Sequence, residues 1–289
     1  MRRFVLLLLP LAACATYDQR RVALVPHLAP VMTTGQPQPT RVALGAGAPA
    51  LTDLSEPSLT DSDAGVGVPR RTTRVMFSVA LRPNMSISAI RDVGTGHRPY
   101  TFDPTLKLDG SDLEGRGLQW DYSFRTSDPH FRVGLAVEMM YWIVPWVGVD
   151  TCIRDCEYAD PGAYLWGDDF VATLGVAVAP SYRISENLTV FGNLTARNHP
   201  TLENAVTTIG HEPVDVHGGP FSVLVAGGMA LELDRHLELA LQIAQALTDD
   251  PVGYGPSISG WLRVGFGSSE EPPRRPLTMY VQPAQPPPT

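Results

Sequence analysis

The chain has 289 residues, with 22 Lys and Arg against 30 Asp and Glu, for a formal charge of −8. That balance argues against nucleic-acid binding, which needs clustered basic side chains. The basic residues are almost all Arg, Lys107 being the sole lysine, and nothing in the composition names a chemistry.

Met1, Arg2 and Arg3 make a basic start, and residues 4–11 a short apolar run. It is too short to cross a bilayer as a helix, which takes about 20 apolar residues, so residues 1–13 read as a secretory signal. Its end, Leu11-Ala12-Ala13-Cys14, resembles the lipobox of bacterial lipoproteins. By that resemblance Cys14 becomes the lipidated first residue of the mature protein. Ala15, in place of an Asp, points to the outer membrane. Residues 14–72, rich in Pro, Ala, Thr, Gly and Ser and without a sustained period, read as a flexible tether: too little apolar surface is available to offset the entropy of ordering them.

Eight strands are predicted between residues 73 and 267. The first, 73–82, sets Val75, Phe77, Val79 and Leu81 on one face. The second, 117–125, alternates Leu118, Trp120, Tyr122 and Phe124 with Gln119, Asp121, Ser123 and Arg125. Residues 131–142 repeat the pattern, with Phe131, Val133, Leu135, Val137, Met139 and Tyr141 opposite Arg132, Gly134, Ala136 and Glu138. Strands at 170–182 and 188–197 follow. A long hairpin comes next, carrying Phe221, Val223, Val225, Met229, Leu231 and Leu233 on one arm and Leu237, Leu239, Leu241, Ile243 and Leu247 on the other. The second arm is rich in helix formers. A helix would spread its Leu and Ile around the axis, whereas a strand gathers them on one face, so period decides for strand. Residues 257–266 close the set, with Ile258, Leu262, Val264 and Phe266 opposite Ser259, Trp261 and Arg263. The tail, 268–289, is Pro-rich and reads as extended and disordered.

Connections at 126–130, 184–187 and 234–236 are short, while 83–116, 143–169, 198–220 and the smaller 248–256 are longer. Strict alternation of short and long connections is how outer-membrane barrels are built, with turns on the periplasmic side and loops outside. On these strands and connections, residues 73–267 resemble the small eight-stranded outer-membrane barrels of the OmpA and OmpX type. The resemblance implies an all-β, antiparallel, up-and-down transmembrane β-barrel with both chain termini periplasmic. Lipid and lipopolysaccharide are its surroundings, and the barrel-assembly and lipoprotein-processing machineries its partners. Trp120, Tyr122, Phe131, Tyr141, Trp142, Trp146, Trp166, Phe170, Tyr182 and Phe221 fall near strand ends, where interfacial girdles sit.

Eight strands leave a lumen that side chains fill. The inward set is Arg74, Arg82, Asp121, Arg125, Arg132, Glu138, Arg197, Glu232, Glu238 and Arg263, with Gln119, Asn193 and Gln242 among them. Confined charges of both signs should pair, because an isolated buried ion is costly, so the interior reads as a packed polar plug. Cys152 and Cys156 read as a loop disulfide in an oxidising envelope. Around them Asp150, Asp155, Glu157 and Asp160, with Asp168 and Asp169, supply oxygen ligands but no EF-hand spacing. His199, Glu203, His211, Glu212 and His217 are ligand types without ligand geometry. Neither a metal nor a cofactor is expected.

Lipid A deacylases and acyltransferases built on such barrels use a Ser beside a His. His97 and His236 each stand alone, so a structural or surface-interaction role through the long loops is expected, without catalysis. The competing architecture is a tethered, lipocalin-like periplasmic barrel, which would line its cup with apolar residues and turn polar ones outward.

Overall fold

The computed structural model describes residues 16–26, 29–51, 64–100, 113–154, 163–202, 216–234, 236–247 and 256–267. They form eleven strands: β1 (Thr16–Leu24), β2 (Val42–Leu51), β3 (Ala64–Arg82), β4 (Met85–Tyr100), β5 (Leu113–Arg125), β6 (Phe131–Arg154), β7 (Ala163–Arg183), β8 (Leu188–Leu202), β9 (Val216–Asp234), β10 (Leu237–Ala246) and β11 (Ser257–Phe266). β2 to β11 close on themselves, each antiparallel to its neighbours, with β11 meeting β2 and β2 meeting β3. Full closure leaves no open strand edge among the described residues, so the ladders pass from neighbour to neighbour around the wall.

The barrel therefore has ten strands and not the eight expected. Both additional strands lie where no strand was predicted. β2 falls inside the supposed tether, and β4 occupies 16 residues of the predicted connection 83–116. Only Pro83 and Asn84 separate β3 from β4. The first predicted strand consequently runs the other way, toward the short-turn end. With this correction the short connections, after β3, β5, β7 and β9, all lie at one end and the longer ones all at the other.

Side-chain alternation puts apolar residues outside. On β10 the burial pattern alternates from Glu238 to Ala244, leaving Leu239, Leu241 and Ile243 outward, which settles that arm as strand. Phe124, Phe131, Tyr182 and Phe266 ring the short-turn end, while Tyr141, Trp166, Phe170 and Phe221 stand toward the other. Trp142 is not in a girdle. It lies in the lumen, 3% exposed, donating from Nε1 to Thr173 Oγ1 at 2.9 Å, and its ring covers Gly115, which has no Cβ to obstruct it.

The N-terminal part of the chain is not a free tether. β1 lies at the long-loop end, antiparallel to the far half of β6 and parallel to the start of β3. From there the chain descends inside the barrel. Ala29 is beside Arg197, Val31 beside Asn193 and Thr195, Gly35 beside Ser123, and Thr40 beside Gly265, the last being next to the final residue of β11. At Val42 the segment emerges at the short-turn end and turns back up as β2. The first described residue, Thr16, thus lies at the end opposite to the one expected for the N-terminus. The last strand finishes at the short-turn end. Residues 1–15 with Cys14, the tail 268–289, and Cys156 lie outside the described residues. Cys152 is in β6, opposite Tyr17 of β1.

Candidate functional site: the plugged lumen

Inward positions of the wall are mostly small: Ala43, Ser78, Ser86, Ser88, Ala136, Ala177, Ala179, Ala226, Ala230, Ala240, Ser257 and Ser259 are all buried. Such a lining cannot fill a ten-stranded lumen by itself, since the bore widens with strand number. The descending segment fills it. Val31 packs with Ala136 and Ala177, and Met32 with Phe191, Ala230, Ala240 and Trp261. Gly35 has φ +73°, a left-handed backbone suited to glycine, and a Cβ there would run into the Ala179 carbonyl. Opposite it, a Cβ on Gly134 would collide with Gly35 Cα. Plug and wall each contribute a glycine so that their backbones can touch.

An extended segment inside a barrel has no ladder partner, and burying bare peptide groups is costly. Wall side chains supply the partners. Arg197 Nη1 donates to Ala29 O at 2.9 Å, Asn193 Nδ2 to Val31 O at 2.7 Å, Gln119 Nε2 to Met32 O at 3.1 Å and Ser123 Oγ to Gly35 O at 2.9 Å. Thr195 Oγ1 accepts from Val31 N at 3.2 Å, and Gln36 Nε2 reaches Ser181 Oγ at 2.9 Å.

Above this contact a charged bar crosses the lumen. Arg74 donates twice to Asp92, from Nε at 2.9 Å and Nη2 at 2.7 Å, and from Nη1 to Glu138 Oε2 at 2.6 Å. Glu138 also pairs with Arg197. Two guanidinium groups and two carboxylates from β3, β4, β6 and β8 thus neutralise one another with almost no exposure. Fork-to-carboxylate geometry of this kind is what makes a buried pair tolerable. Gly175 on β7 leaves room for Arg197, since a Cβ there would approach its Nε to 3.1 Å.

Three of the predicted inward charges, Arg74, Glu138 and Arg197, therefore meet in one network. Its fourth member, Asp92, lies on β4, within the stretch 83–116 that the sequence pattern gives as a connection. The signal was there: Ser86, Ser88 and Asp92 share one face, opposite Ile87 and Ala89. Asp121 receives Gln119 Nε2 at 3.0 Å, and Glu238 faces Arg263 at 3.6 Å. Glu232 pairs with Arg183 at 3.1 Å. Arg125 and Arg132 line a vestibule of about 280 Å3 at the short-turn end, floored by Pro37 and Pro39 of the plug. Arg82 is exposed and outside the lumen, because the β3–β4 register shifts between Ala80 and Arg82. Among the described residues no group of three or more His, Cys, Asp or Glu is placed to hold a metal ion.

No protein-family model and no curated protein matches the chain. Among solved structures it is similar to an outer membrane channel from Pseudomonas putida F1, at TM-score 0.39 and 11% identity over 83% of this chain and 100% of the other. LpxR from Salmonella typhimurium aligns at TM-score 0.37 and 11% identity over 78% and 100%. The KdgM porin aligns at 0.36 and 6% over 78% and 99%.

Proposed function

We propose that this chain is an outer-membrane barrel lipoprotein that is closed by its own N-terminal segment and serves a structural or surface-interaction role without catalysis. The observation that carries the reading is the threaded lumen. Among the described residues, a segment bonded to the wall from Ala29 to Gln36 occupies the lumen where solute would pass. The bilayer assignment is supported by the polarity of the wall, with Leu, Val, Ile and Phe outside and Arg, Glu, Asn and Ser inside, the reverse of a ligand-binding cup. Strands of 10 residues at β2, β10 and β11 match the roughly 9–11 that a tilted strand needs.

With short turns toward the periplasm, the plug runs down from the cell-surface end to Val42, so Thr16 stands on the cell-surface side. A lipid on Cys14 then inserts into the outer leaflet, and the anchor and the barrel hold the same membrane from two sides of the lumen. This arrangement gives the anchor a purpose that a spanning barrel otherwise lacks. It displays the N-terminal strand beside the long β6–β7 ribbon, where Asp150 stands opposite Ala163.

The test is an epitope inserted between Ala15 and Thr16 in the full chain. Antibody binding to intact cells is expected to equal that after permeabilisation. Binding only after permeabilisation would overturn the surface orientation. In planar bilayers the purified protein is expected to be silent, and steady conductance by the intact chain would overturn the closed state.

A further inference from the structure

The outer face of the wall carries a polar notch between β4 and β5. On β4, Ile87 and Ala89 point outward and the next outward residue is Arg91; on β5, Trp120 and Leu118 are followed by Arg116 and Glu114. Arg91 and Arg116 are direct partners across the β4–β5 ladder. Like charges so placed destabilise a sheet unless something lies between them. Glu114 does so only in part, at 3.6 Å from Arg91 and 3.5 Å from Arg116, both long for an ion pair. The two arginine side chains remain 59% and 70% exposed and the cluster keeps a net positive charge. Beside Arg116 stands Tyr141, stacked on Phe170 with ring centroids 5.6 Å apart and planes 13° from parallel.

Height decides what meets this notch. At about 3.3 Å per residue and a tilt of about 40°, Arg116 stands roughly 20 Å from the Phe124 level, near the far edge of an apolar band about 25 Å tall. This is the boundary between acyl chains and headgroups in the leaflet on the long-loop side. Arginine forks match the oxygens of a phosphate, and stacked aromatics prefer that same boundary. We propose that Arg91 and Arg116 form a binding site for the phosphate of a lipid headgroup in that leaflet, with the Tyr141–Phe170 pair against its acyl region. The proposal rests on the reading of the chain as a membrane-spanning barrel, and it does not depend on the plug.

The full-length protein, purified in detergent and shown to be folded by its mobility shift on boiling, is incubated with lipid A or with the same lipid stripped of its phosphates, and retained lipid is measured by native mass spectrometry. The phosphorylated lipid is expected to be retained at least about tenfold better, the size of one or two charge-assisted bonds. Arg91→Gln with Arg116→Gln is expected to erase that preference while the shift on boiling persists. Should the double variant not fold, Arg116→Gln alone is expected to weaken retention about threefold. Glu114→Gln is expected to raise retention, because it removes the competing carboxylate, whereas a purely structural cluster predicts no gain. Equal retention of both lipids, or an unchanged preference in the Arg variants, overturns the site. Complete displacement by inorganic phosphate overturns the assignment to a lipid. A protein that stays soluble without detergent and shows no shift overturns the membrane reading itself.

Discussion

Strands β5 and β2 of the wall obey the same alternation but with very different amplitude. On β5 the outward Leu118, Trp120, Tyr122 and Phe124 contrast sharply with Gln119, Asp121 and Ser123. On β2 the same period is written in Val42, Leu44, Ala46 and Ala48 against Ala43, Gly45 and Gly47, and the burial of its inward side is just as complete. Both are barrel strands. What differs is the room on the inner side: β5 reaches the plug with the polar side chains of Gln119 and Ser123, whereas on β2 a Cβ at Gly47 would already run into Met32 of the plug and Trp261 of the wall. A larger residue would displace that segment. Small residues on both faces flatten the pattern until it resembles a linker.

Several substitutions sharpen or break this comparison. The largest effect is expected at the charged bar. Glu138→Ala removes the carboxylate that faces Arg197 and leaves Arg74 with Asp92 alone in a closed lumen, and loss of one partner from a buried network costs about 3–5 kcal/mol. The temperature at which the gel mobility shift is lost should fall markedly, and no change would mean that the bar contributes little. Next come paired outward substitutions on the two kinds of wall. Leu241→Arg on β10 and Ala46→Arg on β2 should each cost about 2–4 kcal/mol if both face the bilayer core. Denaturant titration in lipid vesicles measures both, and normal stability of the Ala46 variant alone would remove β2 from the membrane wall.

A smaller cost with a different readout is expected at the glycine contact. Gly35→Val inserts a side chain against Ala179 and into the left-handed backbone, at about 1–3 kcal/mol, and the plug can yield where the wall cannot. Conductance steps should appear in bilayers while the barrel still shifts on boiling. The mildest variant, Thr195→Val, removes the acceptor for Val31 N and should cost about 1 kcal/mol. Hydrogen exchange at Val31 should then quicken with little change at β8 itself.

Much of the barrel was legible because lipid and a wet interior impose opposite demands on adjacent residues. Glu138, Arg74 and Arg197 were recognisable as inward from parity alone, and their pairing followed from the cost of isolated charge. The strand count was not legible. In β4, Ile87 and Ile90 are three residues apart and Ile90 points into the lumen, so no clean period of two emerges. Trp142 belonged to the lumen by parity, but residue type suggested a girdle. The plug left the faintest trace, because an extended segment satisfied by wall side chains needs neither period nor propensity. Its hint lay in the wall, where Ala, Gly and Ser at inward positions left a volume that the remaining charged side chains could not fill.

The central claim is that residues 29–41 occupy the lumen, and a cross-link tests it most directly. Val31 and Ala177 are both fully buried and share one apolar cluster. With Cys152 and Cys156 replaced by Ser, the Val31→Cys, Ala177→Cys double variant should form a disulfide in isolated membranes under mild oxidation, giving a gel band of altered mobility that reverts on reduction. A folded barrel, shifting on boiling, whose two cysteines stay reduced and open to a small maleimide would contradict the account.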